Sequence, residues 1–251
     1  MASERQALEE RTPYWGEHKH RYDAIINEIG EQDIILDIAC GTGYGTNMLA
    51  GKSKGRVVGG DISEQAVQDC SKRWNQNSLE FKVLDGTNLD FPDNTFDVLV
   101  SFETIEHTTE YMKMLSEFNR VLKPNGRAFI STPNFPINSP TGVVLNKYHT
   151  QEFVYEEVDE MMNKTFNDVS IFGQKYIRYQ DSSFKKKVGK SMESLLLQRG
   201  VRKLPLDFQD SVMKGIIDKP IYPTAEDFDM ISGIEEIKKC RTFFITAKKK
   251  S

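Results

Sequence analysis

Four side chains pose the chemical question: Glu103, Glu106, His107 and His149. Three of them fall in the five-residue stretch Glu103-Thr104-Ile105-Glu106-His107. In a helical turn, positions three apart share a face, so the two carboxylates can point the same way. Two carboxylates and an imidazole suit a divalent cation such as Mg²⁺, Mn²⁺ or Zn²⁺. A fourth ligand is needed, and His149 in NKYHTQEF is the best candidate. A cation held there lowers the pKa of a bound hydroxyl. The alternative needs no metal: His107, with Glu106 beside it, is a candidate general base or a cap on the next helix, and Glu103 is a polar pocket wall. His18 and His20 sit on an expected surface helix and are not candidate ligands. Phe102, Phe135, Tyr148 and Phe153 either line an acceptor pocket or belong to the core.

A second constellation reads as a nucleotide pocket. Residues Leu36–Thr46, LDIACGTGYGT, place glycines at 41, 43 and 45, and a glycine-rich turn lets the backbone come close to a ligand. Dinucleotide-binding folds use a similar loop, but here there is no complete G-x-G-x-x-G reading. Two further features discriminate. Asp37 lies inside the strand before the loop, and Asp61 ends the following strand, where a carboxylate can accept both hydroxyls of a ribose. Asp85-Gly86-Thr87 follows a third strand, where an acidic side chain can accept an adenine amino group, with Asp90 as its competitor.

These residues need a scaffold, and the pattern supplies one. A helix is expected over 16–29, ending at Gly30, a suitable C-cap. DIILDIA is a short apolar run of the kind found in buried parallel strands. Further strands are expected at Arg56–Asp61, Leu79–Leu84, Phe96–Ser101 and Gly126–Thr132. Between them lie a helix after the N-cap Ser63 and the amphipathic YMKMLSEFNRVL, stopped by Lys123-Pro124-Asn125-Gly126. Beyond Pro133 the rhythm breaks into a Pro- and Asn-rich loop. A helix over Thr150–Asn163, a strand at Asn167–Gly173 and a last strand at Arg241–Ala247 follow. Strands alternating with helices imply a doubly wound α/β sheet. The expectation is a single domain over 1–251, with a helical cover at 1–30 and an insertion at 175–240 forming a lid.

The composition fits this plan and excludes others. The 251 residues are 38% hydrophobic and 28% charged, with a formal net charge of −4, which describes an ordinary globular chain. That charge disfavours a long nucleic-acid partner, since phosphate-gripping proteins carry a basic excess. Three widely spaced cysteines, Cys40, Cys70 and Cys240, read as reduced thiols. The polar start MASERQALEERTPYW carries no apolar signal segment, and no stretch is long and apolar enough to span a bilayer. The expectation is a cytoplasmic protein without a membrane partner.

Across residues 14 to 175 the chain resembles a class I S-adenosylmethionine-dependent methyltransferase. LDIACGTG is similar to the family's first motif, GGDIS to its ribose-binding acidic motif and LDGTNLDF to its adenine motif. FDVLVSFETIEH and EFNRVLKPNGRAFISTPN are similar to the fourth- and fifth-strand regions. The resemblance implies a Rossmann-like, seven-stranded sheet, mostly parallel with an antiparallel last strand. It also implies that S-adenosylmethionine lies along Gly41 and Gly43 with its methionine part, on Asp61 with its ribose, on Ile62 with its adenine face and on Asp85 with its adenine edge. Ser101 and Phe102 would pass close to the sulfonium, with Asp37, Tyr44 and Gly86 completing the pocket. Arg21 either pairs with the methionine carboxylate or sits on a surface helix with Tyr22 turned inward.

On the acceptor side, Glu-x-x-Glu-His with a distal His resembles metal-dependent O-methyltransferases. These include the small-RNA 3′-end 2′-O-methylating enzymes and, in the first half of the pattern, ubiquinone-pathway enzymes. The chain lacks the basic surface signature and additional domains of the RNA enzymes. STPN followed by H-x-x-E-F resembles bacterial methyltransferases of sugar and surface-glycan pathways. The implied reaction is O-methylation of a small acceptor: a sugar, nucleotide sugar or glycan terminus. The competing readings are N-methylation of an amino sugar or small amine, and a non-catalytic S-adenosylmethionine-binding protein. A nicotinamide-dependent oxidoreductase is the most distant.

Overall fold

The computed structural model describes residues 12–179, 184–197 and 204–250. Eight strands form one sheet: β1 (Ile35–Ile38), β2 (Val57–Asp61), β3 (Leu79–Val83), β4 (Phe96–Phe102), β5 (Leu122–Pro133), β6 (Phe166–Tyr176), β7 (Phe228–Ile231) and β8 (Thr242–Lys249). Every residue of β1 and β2 is buried, as a strand covered on both faces requires. The strand order is β3-β2-β1-β4-β5-β8-β6-β7. Pairing is parallel from β3 through β5, and β8 runs antiparallel to both β5 and β6.

The expected sheet had seven strands; the described residues form eight. The extra one, β7, is the four-residue segment FDMI at the sheet edge. So short a half-buried segment leaves almost no alternation to read, and it lies within the expected insertion at 175–240. A second difference concerns the turn Lys123-Pro124-Asn125-Gly126. It lies inside β5, whose pairing with β4 slips between Phe96↔Leu122 and Val98↔Arg127. Asn125 takes φ 65 there, so the four residues form an irregularity within the strand rather than precede it.

Helices α1 (Trp15–Ile25), α2 (Tyr44–Lys52), α3 (Glu64–Arg73), α4 (Tyr111–Val121), α5 (Phe135–Asn138), α6 (Tyr155–Thr165), α7 (Phe184–Leu196), α8 (Leu206–Ile217) and α9 (Ile234–Ile237) complete the fold. α4 buries Met114, Leu115, Phe118 and Val121, one stripe at helical spacing, against a core that includes Phe96, Leu99 and Ile130. Ser63 caps α3 by accepting from the Ala66 N–H at 3.3 Å. None of the described helices is long and apolar enough to cross a membrane.

The chain divides into two compact units. The described part of the first comprises residues 21–175 and 230–250, and that of the second residues 12–20 and 176–229. The first holds the sheet core and all the candidate site residues. In the second, Leu196, Met213 and Ile221 form a small apolar cluster. Beside them, the buried Arg178 donates to the Ile221 carbonyl at 3.1 Å and lies 3.8 Å from the Asp227 carboxylate. The first eleven residues of the expected N-terminal cover lie outside the described residues.

Chain order runs outward from β1 to β3 on one side and from β4 on the other, so the topological switch lies between β1 and β4. In open α/β sheets, ligands bind at the carboxyl ends of the strands at such a point. The Gly-rich loop, Asp61, Asp85 and the turn after β4 all leave the sheet at that edge.

Candidate active site

The residues expected to hold the donor are arranged by backbone constraints that only certain residue types satisfy. After β1 the chain turns through Ala39 (φ 59), Gly41 (φ 58) and Gly43 (φ 72). A Cβ on Gly45 would stand 2.0 Å from the Tyr22 ring, so the tyrosine fills the space the glycine leaves. The Tyr22 hydroxyl donates to Asp37 at 3.3 Å, and Thr46 Oγ1 donates to the same carboxylate at 2.7 Å. Asp37 is thus buried behind the loop, with its carboxylate directed to Tyr22 and Thr46 and acting on the loop through them. Tyr44, also buried, meets Tyr22 edge-on at 5.4 Å between ring centroids.

Burial raises the Asp37 pKa from its ordinary 3.8 to about 7, opposed by the hydrogen bonds from Thr46 and Tyr22. A carboxyl raised in this way stabilises the fold fully below its unfolded value. The contribution is lost as pH climbs toward the folded value. Asp37→Asn keeps a neutral side chain at every pH. Melting temperatures of variant and wild type are therefore expected to shift relative to one another in favour of the variant between pH 4 and about pH 7. A pH-independent difference would contradict the assignment.

At the end of β2, Asp61 accepts from the Gly41 N–H at 3.1 Å and from the Ser63 N–H at 2.9 Å. The two bonds use different oxygens, so both carboxylate oxygens are held in place. Between Asp61 and Ser63, Ile62 is 73% exposed, an apolar side chain presented beside a carboxylate. Asp85 is exposed and accepts from the Thr87 N–H and hydroxyl, both at 2.8 Å. Gly86 is buried, and a Cβ there would come within 3.1 Å of Met114. Ser101 is fully buried, and its hydroxyl has no hydrogen-bond partner among the described residues.

Arg21 is 1% exposed rather than on a surface. Its Nη1 donates to Gln174 at 2.7 Å and lies 3.9 Å from Glu103 Oε1. Tyr22 is turned inward, as the second reading of this helix expected. Gln174 was not anticipated, because a partner 153 residues away in sequence leaves no local signal.

In the segment expected to meet the acceptor, Ile105–His107 forms one 3-10 turn after β4. The Glu106 carbonyl accepts from the Thr150 N–H at 2.9 Å, the Gln151 N–H at 3.3 Å and the Thr150 hydroxyl at 2.9 Å. These three bonds strap the loop carrying His149 onto the turn. Glu106, His107 and His149 each bring one donor atom to within 4.8 Å of the others, and the two imidazole rings meet edge-on at 5.0 Å. Glu103 does not join them. It adopts φ 53, and its Oε1 accepts from Ser131 at 2.8 Å. The expected four-residue ligand set is therefore a three-residue cluster with Glu103 apart.

The surroundings decide the state of each cluster member. His107 Nδ1 lies 2.9 Å from the Tyr148 carbonyl. A carbonyl only accepts, so Nδ1 carries a proton, and in the neutral ring Nε2 has the lone pair. His107 Nε2 is 3.9 Å from Glu106 Oε1, a buried oxygen with no hydrogen-bond partner among the described residues. Glu106 Oε2 accepts from Thr132 at 3.0 Å. Burial, then the nearby Glu103 carboxylate, push Glu106 well above the usual carboxylate range. The cluster is electron-rich, and a positive species, either a proton on Glu106 or a cation, is what it accommodates. Of the aromatic candidates, Phe102 packs against Tyr22 at 4.9 Å and Phe153 against Tyr111 at 5.0 Å. Both are core residues, whereas Tyr148 is 38% exposed.

Residues 36–130 match the family model of the methyltransferase domain. The chain carries a class I methyltransferase domain. It is 32% identical over 156 residues to a probable S-adenosylmethionine-dependent methyltransferase of Mycolicibacterium smegmatis, covering 62% of this chain and 59% of that protein. It is 37% identical over 99 residues to phosphoethanolamine N-methyltransferase 1 of Arabidopsis thaliana, covering 39% of this chain and 20% of that one. Other relatives are named for C- and O-methyl transfer. The chain spans less than two thirds of the length of these relatives. Among solved structures, the complex of the Haloferax volcanii Trm112 methyltransferase activator with a putative methyltransferase matches 94% of this chain and 91% of that one. The TM-score is 0.60 at 18% identity, a likeness of fold.

Proposed function

We propose that this methyltransferase domain transfers the methyl group of S-adenosylmethionine to a hydroxyl oxygen of a small acceptor, with a sugar, nucleotide sugar or glycan terminus favoured. The observation that carries the reading is the Glu106–His107–His149 cluster at the same sheet edge as the Gly-rich loop, Asp61 and Ile62. On the donor side, Asp61 accepts the ribose hydroxyls, Ile62 covers the adenine face and Asp85 takes its amino edge. The backbone at Gly41 and Gly43 faces the methionine part. The pocket fits this donor: an exposed aliphatic side chain adjoins a carboxylate whose position is set by two backbone amides.

Methyl transfer is an in-line displacement from sulfur to the acceptor oxygen. The protein's task is to align the two and help the hydroxyl lose its proton. His107 Nε2, its lone pair fixed by the Tyr148 carbonyl, is the base suited to that proton. Thr132 orients Glu106, and Glu103, held by Ser131, closes one side of the site.

The unbonded Glu106 oxygen and the histidine lone pair beside it also fit a divalent cation, which Glu106, His107 and His149 would hold. Such a cation supplies Lewis-acid activation of the hydroxyl. Exhaustive chelation is expected to abolish methyl transfer, and Mg²⁺, Mn²⁺ or Zn²⁺ to restore it. Full activity after chelation removes the metal and leaves His107 as the base. Acceptor selection is assigned to the insertion at 175–240, and slower proteolysis within it on binding of acceptor is the expected sign.

A second reading, N-methylation of an amino sugar or small amine, is favoured by the relative named for phosphoethanolamine N-methylation. Turnover with an amine and no metal would establish it.

A further inference from the structure

We propose that Glu152 is a positioning residue that holds His149 in its Nδ1–H tautomer, so that Nε2 is the nitrogen that carries the lone pair. Glu152 is absent from the ligand and catalytic set above, yet it is among the most buried carboxylates of the site, with its side chain 2% exposed. Its Oε1 lies 2.8 Å from His149 Nδ1, and its Oε2 accepts from Ser139 Oγ at 2.7 Å. Ser139 is itself fixed, since its hydroxyl accepts from the Leu145 N–H at 3.1 Å.

The opposite side of the ring agrees independently. The Tyr148 N–H donates to Asn146 Oδ1 at 3.0 Å, which orients that amide and turns its Nδ2 toward His149 Nε2 at 2.9 Å. An amide nitrogen only donates, so Nε2 accepts and Nδ1 must carry the proton. That N–H then donates to Glu152. A carboxylate on the far nitrogen fixes both the tautomer and the ring orientation of a functional histidine. Glu152 thus does for His149 what the Tyr148 carbonyl does for His107. Both neutral rings then carry their lone pair on Nε2; that of His149 accepts from Asn146, so a cation would take it up only by displacing that amide.

This inference rests on the reading of His149 as a working member of the acceptor site, but its test does not depend on turnover. The chain has four histidines, so ring-nitrogen NMR of histidine-labelled protein can be assigned with a His149→Asn control. Wild type is expected to show a protonated Nδ1 and a lone-pair Nε2 on His149. Glu152→Gln should preserve that pattern, because the Gln oxygen can still accept from Nδ1 while its amide donates to Ser139. Glu152→Ala should lose it and populate both tautomers. Zn²⁺ titration is a second probe: affinity should fall about 10–100-fold in Glu152→Ala, the usual cost of removing such a partner, and recover in Glu152→Gln. Unchanged S-adenosylmethionine affinity shows that both variants are folded.

A wild-type His149 protonated at Nε2, or an Ala variant with the wild-type pattern, overturns the proposal. So does an equal loss of donor affinity in both variants, which would make Glu152 merely structural. Wild type that binds no Zn²⁺ but shows the expected nitrogen pattern supports the positioning role and removes only the metal from the proposed function.

Discussion

His107→Ala is expected to lower kcat by about 10²–10⁴-fold, the range for removing a general base, while the Kd for S-adenosylmethionine stays within a few-fold. The separation follows from geometry. His107 sits in the turn after β4, bonded through Nδ1 to the Tyr148 carbonyl, apart in sequence from the Gly-rich loop and Asp61. Its Nε2 is the lone-pair nitrogen nearest the buried Glu106 oxygen. Removing the ring therefore removes proton acceptance, and with it any cation ligation, without touching Asp61 or the Gly-rich loop. His107→Gln keeps a polar side chain but has no basic nitrogen, and it should be nearly as impaired. Single-turnover rates with donor affinity measured by calorimetry would check both. A fall in donor affinity that accounts for the whole loss would mean that His107 serves the loop, not the chemistry.

The second large effect is expected at Asp61. Its carboxylate accepts from the Gly41 and Ser63 amides and, in the proposed function, from both ribose hydroxyls. Hydrogen bonds to a charged group are worth about 1.5–3 kcal/mol each. Asp61→Ala should therefore weaken S-adenosylmethionine by about 3 kcal/mol or more, roughly 100-fold or greater in Kd. The variant also releases the two amides that shape the loop, so Asp61→Asn, which keeps one accepting oxygen, should fall in between. At saturating donor the methyl-transfer rate of Asp61→Asn should approach wild type, because the acceptor cluster is intact. A rate defect that saturating donor fails to relieve would assign Asp61 a different role.

Much of this arrangement was legible in the sequence, for reasons of locality. The strand-turn-helix rhythm, the glycines that permit φ 58 and φ 72 and the acidic residues after β2 and β3 are all encoded within a few positions. What escaped was set by distant partners. Glu103 looked like a ligand because it stands three residues before Glu106, but its φ of 53 turns it to Ser131, 28 positions on. Arg21 meets Gln174 only once β6 is in place. The tautomers of His107 and His149 depend on the Tyr148 carbonyl, the Asn146 amide and Glu152, groups whose orientation no spacing rule specifies. β7 failed for the opposite reason: four residues are too few for a pattern. Sequence thus placed the Gly-rich turn, Asp61 and Asp85 at one sheet edge, but only the fold separated Glu106, His107 and His149 from Glu103.

The most direct test follows the transferred carbon. Protein supplied with S-adenosylmethionine carrying ¹³C in its methyl group, together with a pool of sugars, nucleotide sugars and amino sugars, can be read by carbon-resolved NMR. O-, N- and C-methyl carbons fall in separate regions of that spectrum. The proposed function predicts a new signal in the O-methyl region that grows with time and is absent with His107→Ala. A signal in the N-methyl or C-methyl region instead, or an O-methyl signal undiminished in the variant, would contradict it.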